Sequence, residues 1–159
     1  MNSKVTNLPD EHHVIRHVPW TKLRRDEDDN VIGILPHALV RDKDHDSLSV
    51  NWIEYHDGDW ATQMCESVWA IRRTRPSIGG RGKSRYAIGS ISEIKRVCLS
   101  GGVRIRIIHE PIKDNPAHSG IRRLPNDDLT LLAALADDVF TDTVNNAAIP
   151  SESPKPTVA

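Results

Sequence analysis

The stretch from residue 103 to residue 118, VRIRIIHEPIKDNPAH, constrains the fold more than any other part of the chain. Its first half alternates valine or isoleucine with arginine, the period-two pattern of a strand with one face in the core. Pro111 lacks a backbone donor, and the Asp-Asn-Pro triplet that follows favours a turn, so the strand should end near Glu110. This strand needs partner strands, and it ends in a polar loop.

That polar loop carries two histidines, a glutamate, an aspartate and an asparagine. A rigid strand that positions a polar loop is a common place for function. The candidate catalytic residues are therefore His109, Glu110 and His118, together with His17 from the first predicted strand. The alternative interpretation is an ordinary strand exit whose polar side chains are solvated.

The hydrophobic pattern predicts five strands and three helices. Strands are expected near 12–18, 31–35, 48–55, 86–89 and 103–108, and helices near 60–73, 91–99 and 129–140. Asp59 and either Asp127 or Asp128 suit helix N-caps, and Ser90 with Glu93 predicts a capping box. Strands come first and alternate with helices later, which favours an α+β fold with a mixed sheet of about five strands in a single domain.

The length of 159 residues is enough for one domain with a substantial core. The composition predicts a loose N-terminal segment at 1–11, the α+β domain at 12–142 and a disordered tail at 143–159, where apolar periodicity is absent. The chain shows no signal peptide and no apolar run long enough to span a membrane, so no membrane partner is expected. Its two cysteines are far apart and suit buried thiols, which predicts a cytoplasmic location.

Charge is segregated along the chain although the net charge is only −1. Residues 72–106 contain ten arginines and lysines and one glutamate, a local charge of +9. The glycine-rich loop at 74–85 lies within this basic segment but lacks the spacing of a P-loop. The candidate phosphate-binding residues are Arg81, Lys83, Arg85, Arg104 and Arg106. The alternative is that these cations pair with acids inside the fold.

Three segments, HVPWTKLRRDEDDNVIG, LSVNWIEY and HEPIKDNPAH, give the chain a resemblance to a family of small bacterial proteins without an assigned activity. The resemblance covers about 14–140. It implies a compact, stand-alone bacterial domain and implies no catalytic residue.

Of the functions the residues can support, the basic segment favours binding of nucleic acid or of a nucleotide phosphate. The first alternative is an enzyme. Arg16 or His17 on the first strand, Ser49 on a middle strand and a glutamate near a later strand, Glu54 or Glu110, form the kind of set that NAD-cleaving ADP-ribosyl transferases use. In those enzymes the arginine or histidine holds the cofactor and the glutamate stabilises the developing oxocarbenium charge.

A second enzymatic alternative is a metal-free phosphodiesterase with His109 as general base and His118 as acid. The histidines also raise the question of a metal, but HExxH and paired-cysteine spacings are absent, so no metal site is predicted. The remaining alternative is an interaction subunit of a mobile-element or defence system that binds an acidic protein partner. The sequence points to no particular cofactor.

Overall fold

The computed structural model describes residues 5–79 and 82–153, which form a six-stranded sheet, a separate two-stranded hairpin and three α-helices. The strands of the large sheet, in spatial order, are β6 (Arg106–His109), β7 (His118–Arg122), β4 (Ser47–Trp52), β1 (His13–Val18), β5 (Arg85–Ser90) and β8 (Asp142–Asn145). The hairpin consists of β2 (Leu23–Arg25) and β3 (Val31–Ile34), and the helices are α1 (Trp60–Thr74), α2 (Ile91–Ser100) and α3 (Leu129–Asp138). Every strand pair in the described residues is antiparallel.

The sheet has a hydrophobic core on each face, because successive side chains of a strand point to opposite sides. On one face Val14 and Val18 of β1 lie in the larger core, which also contains buried residues of α2 and α3. On the other face Ile15 packs with Met64 and Val68 of α1. Within the described part of the chain, α1 is the one α-helix that contributes to this second core, so part of that face remains open.

The sheet opens between its two central strands. β1 pairs with β5 along its whole length, but with β4 only where Val14 faces Trp52 and Ile15 faces Asn51. Beyond Ile15 the two strands have no pairing, so the halves β6-β7-β4 and β1-β5-β8 are joined at one end only. This opening positions the candidate site.

The predicted α+β class and the three helices are confirmed. The large sheet has six strands, because four of the five predicted strands are joined by β7 and β8, while the predicted strand at 31–35 lies in the separate hairpin as β3. β7 reads HSGIR and β2 reads LRR, so neither is long or apolar enough to give a periodic signal. Asp59 and Asp128 cap their helices as predicted, whereas Ser90 makes no cap hydrogen bond and instead contacts Ser92.

The prediction that the chain is loose over 1–11 is wrong for the described part of that segment. Leu8 is buried, and its N–H donates to the carbonyl of Ile107 over 3.0 Å, while Asn7 forms a bridge with Ile108. The segment therefore lies against the outer edge of β6. Residues 1–4 lie outside the described residues.

The prediction that the tail is disordered from 143 is also wrong up to about residue 150. Asp142–Asn145 pair with β5, and Asn146 is fully buried. The guanidinium of Arg72 donates to the carbonyls of Asn146, Ile149 and Pro150 over 2.8–3.0 Å. The segment is therefore ordered by its pairing with β5 and by Arg72 of α1. Neither contact can be predicted from the polar composition of the segment itself. Residues 154–159 lie outside the described residues.

Within the described residues, no helix has both the length and the apolar character needed to cross a membrane.

Gly89 of β5 provides a test of core packing. A Cβ at this position would lie 2.7 Å from Cε1 of Phe140, which is fully buried. Gly89→Ala should therefore lower the free energy of unfolding by about 1–3 kcal/mol, since a packed core accommodates added atoms poorly. Urea denaturation measures this change. Gly33→Ala is the matched control, because a Cβ in this other strand meets nothing within 4 Å. An equal loss of stability in both variants would contradict the packing described here.

Candidate functional site

A cleft of about 650 Å³ occupies the opening between β1 and β4. Ile15, Arg16 and His17 form its β1 side, and the end of α1 contributes Thr74 and Arg75. A second lobe of about 360 Å³ shares several lining residues with the first. The residues common to both lobes are Arg16, His17, His45, Ser47, Ser49 and Arg75. The two lobes therefore meet at the opening of the sheet.

Strands β4 and β7 form the opposite side of the cleft, through the alternation of side chains along β4 and the register of its pairing with β7. In β4 the apolar Leu48 and Val50 are buried in the core, so Ser47, Ser49 and Asn51 point towards the cleft. The pairing with β7 sets Arg122 beside Ser47, Gly120 beside Ser49 and His118 beside Asn51. The six residues thus form one polar floor.

Arg16 spans the opening. Its Nη1 donates to the carbonyl of Ser49 and its Nε to the carbonyl of Ala38, both over 2.8 Å. The first bond occupies a β4 carbonyl at a point where β1 does not pair with that strand. Burial, and then the nearby charge of Arg75, lower the pKa of Arg16 to about 10, so it remains protonated at neutral pH.

His17 lines the cleft, and one of its ring nitrogens has no hydrogen-bond partner among the described residues. Its Nε2 is buried and has no hydrogen-bond partner among them, while the ring packs edge-on against Tyr86 with centroids 5.3 Å apart. Burial, followed by the charges of Arg75 and Arg16, lowers the pKa of His17 to about 4. The imidazole is therefore neutral at pH 7.

The carboxylate of Glu110 lies over Gly120. Oε1 accepts from Ser47 Oγ and Oε2 accepts from Arg122 Nη2, both at 2.8 Å. Partial burial acts to raise the pKa of this carboxyl. The hydrogen bonds from Arg122 and Ser47, with the charge of Arg122, outweigh it and lower the pKa below its ordinary value. The cleft therefore contains a fixed negative charge at neutral pH.

His118 is held between the end of β6 and the floor of the cleft. Its Nδ1 lies 2.7 Å from the main-chain oxygen of Glu110, and its Nε2 lies 3.2 Å from Ser49 Oγ. A buried amide pair anchors the intervening loop: Asn51 and Asn115 exchange two hydrogen bonds of 2.8 and 3.0 Å. The loop that ends in His118 is thus tied to β4 at a defined position.

Three of the four predicted catalytic residues, His17, Glu110 and His118, line this one cleft. His109 does not line it. Its Nε2 bonds the carbonyl of Pro116 at 2.6 Å, and its ring contacts Trp52 and Tyr55. The structure therefore does not bring His109 and His118 together as a base and acid in one cleft.

The predicted phosphate-binding residues that the structure describes do not form one surface. Arg85 lies on β5 and Arg106 on β6, with three strands between them, a separation of roughly 19 Å at about 4.8 Å per strand. Lys83 Nζ lies 5.1 Å from the Trp20 ring, and Arg104 is exposed just before β6. Arg81 lies outside the described residues. The basic segment contributes Arg75 to the cleft instead.

Internal pairing accounts for part of the basic segment. Carboxylates lie 2.6–2.7 Å from the cations of Arg73, Lys95 and Arg96. By contrast, no ion pair among residues 5–79 and 82–153 involves Arg16 or Arg75. Two guanidinium groups thus border the cleft without a paired carboxylate.

Sequence reasoning missed Ser47, Asn51, Arg75, Gly120 and Arg122 as site residues. The signal for β4 was present, because SLSVNW alternates polar and apolar residues and so predicts a polar face. Arg75 gave no such signal, since its place at the cleft depends on where α1 ends against the sheet.

Across the described residues, no group of three or more His, Cys, Asp or Glu side chains is arranged to hold a metal ion.

Comparisons with known proteins found no matching family model, no matching curated protein and no matching solved structure.

Gly120 should be required for the position of Glu110. A Cβ at residue 120 would overlap Glu110 Oε1 and the Ser47 side chain, so Gly120→Ala should displace the carboxylate and cost about 1–3 kcal/mol of stability. A double-mutant cycle with Glu110→Ala, followed by urea denaturation, tests the contact. Because Glu110→Ala removes one of the groups that the new Cβ would overlap, the combined loss should be smaller than the sum of the single losses. Additive losses would contradict this arrangement.

The low pKa of His17 makes stability depend on pH. An unfolded histidine binds a proton near pH 6.5 but folded His17 only near pH 4, so the unfolded chain is favoured as the pH falls. This contribution to stability is complete above pH 6.5 and is lost progressively towards pH 4. His17→Gln should flatten the profile of unfolding free energy over that range, whereas His37→Gln, at an exposed histidine, should not. Identical profiles for wild type and His17→Gln would refute the assignment.

Proposed function

We propose that the protein is an enzyme that binds a dinucleotide of the NAD class in the cleft between β1 and β4 and breaks its bond between ribose and nicotinamide. The observation that carries the proposal is the opening of the sheet, with Arg16 and His17 on one side, Ser49 on the other and Glu110 beside them. These residue types are the ones that NAD-cleaving ADP-ribosyl transferases use. In this protein all four residues line one cleft.

Arg16 and Arg75, which form no ion pair with the described residues, support a phosphate-bearing ligand. Arg75 lowers the pKa of both Arg16 and His17 through its charge, so the positive groups lie close enough to affect each other. Bringing like charges together in a partly desolvated cleft is unfavourable, and an anion between them offsets that cost. Planar guanidinium groups suit phosphate oxygens, which they bind with two parallel hydrogen bonds.

The shape of the cleft supports a ligand with two halves. Pockets for cofactor-sized molecules measure roughly 300–1,000 Å³, and both lobes, of about 650 and 360 Å³, lie within that range. Arg16 and Arg75 line both lobes, so a diphosphate at their junction would leave one lobe for each nucleoside. Asp44 and Asp46 line the larger lobe and suit the positive nicotinamide ring of NAD.

The chemistry of the cleft supports cleavage at the ribose. When the bond between C1′ and the nicotinamide nitrogen breaks, its electron pair leaves with neutral nicotinamide and positive charge develops on the ribose. A fixed carboxylate stabilises such charge. Glu110 suits this role, because Ser47 and Arg122 hold it in place and keep it ionised.

The proposal is tested by NAD binding in calorimetry and by chromatographic detection of released nicotinamide. Arg75→Ala should weaken NAD binding roughly tenfold or more, because a hydrogen bond to a charged group contributes roughly 1.5–3 kcal/mol. The side chain of Arg75 makes no hydrogen bond or ion pair with the described residues, so its removal breaks no polar contact of the fold.

Arg104→Ala is the matched control, since Arg104 is also exposed but does not line either lobe. NAD affinity should be unchanged in this variant. A wild-type chain that neither binds NAD nor releases nicotinamide, or equal losses of affinity in the two variants, would overturn the proposed function.

A further inference from the structure

We infer that His118 is the general base of this reaction and that the group it activates is a hydroxyl, either water or a hydroxyl-bearing acceptor. The inference rests on the proposed function, since it concerns the group that attacks the ribose as nicotinamide departs. It follows from the hydrogen bonds on the two ring nitrogens of His118.

The main-chain bond fixes the tautomer of His118. Its Nδ1 lies 2.7 Å from the carbonyl oxygen of Glu110, and a carbonyl oxygen only accepts hydrogen bonds. Nδ1 therefore carries the proton in the neutral ring, and Nε2 keeps its lone pair. That lone pair faces Ser49, whose Oγ lies 3.2 Å away and donates to it. The nitrogen is already positioned to take a proton from a hydroxyl.

The other titratable groups on the floor and sides of the cleft are poorer bases. Both carboxylate oxygens of Glu110 accept hydrogen bonds, and the bond from the Arg122 guanidinium, with its charge, makes this carboxylate a weaker base. His17 lies beside two guanidinium groups, whose charges oppose its protonation. Asp44, His45 and Asp46 lie on an exposed turn at the rim, where water reaches them. Of the titratable groups that the structure describes in the cleft, His118 combines a place on the floor with a directed lone pair.

Ser49 indicates the class of acceptor. Its Oγ marks a position within the cleft from which an O–H donates to Nε2 of His118. An acceptor hydroxyl near this position would donate in the same way and give up its proton to Nε2 as its oxygen attacks C1′. The new bond is oxygen to C1′, the broken bond is C1′ to nicotinamide nitrogen, and the electron pair leaves with nicotinamide. The protonated histidine then returns its proton to solvent.

The test compares two variants of His118 in nicotinamide release from NAD. His118→Asn keeps a side-chain N–H for the Glu110 carbonyl but has no basic nitrogen, so kcat should fall roughly 100-fold or more while KM stays near the wild-type value. His118→Ala should lose a similar factor, and added imidazole should restore its rate in proportion to concentration. With methanol as acceptor, wild type should form methyl ADP-ribose and His118→Ala should not.

Ser100→Ala, at an exposed serine on α2, is the control and should match wild type. If wild type releases nicotinamide but the His118 variants keep its kcat, the inference is overturned while the proposed function stands. Failure of imidazole to restore His118→Ala would likewise overturn it, because a purely structural role gives no such rescue. If wild type releases no nicotinamide, the proposed function itself fails.

Discussion

The structure of the site depends on the incomplete pairing of β1 with β4. An antiparallel sheet ordinarily satisfies its backbone groups strand by strand, and here the ladder stops after Ile15. The guanidinium of Arg16 replaces part of the missing ladder by donating to the carbonyls of Ser49 and Ala38. The same side chain therefore stabilises the opening and brings a positive charge into it.

A second constraint is the absence of a side chain at Gly120. The carboxylate of Glu110 uses the space that a Cβ would fill, and from there it reaches Ser47 on one side and Arg122 on the other. The loop before β7 is held by the amide pair of Asn51 and Asn115. Together these contacts place a fixed negative charge and an oriented imidazole on the same floor, within a cleft where Arg16 and Arg75 form no ion pair with the described residues.

Much of the local structure could be predicted from the sequence. Helices α1 and α2 follow from apolar spacing, and the caps at Asp59 and Asp128 follow from short polar side chains that accept from the first turn. Glu110 and His118 were found because they follow a strong strand signal. β8 and the segment after it escaped prediction, because they are ordered by pairing with β5 and by Arg72 rather than by their own periodicity.

The sequence by itself determined the α+β class, the three helices and a polar strand end rich in candidate site residues, since these depend on side-chain periodicity over a few neighbouring positions. Only the tertiary structure decided the strand order, the opening beside Arg16 and the choice of Arg75 rather than Arg106 as a cation at the cleft. The physical reason is that strand pairing sets which distant residues become neighbours. A charge count along the chain contains no information about the strands that separate those charges in space.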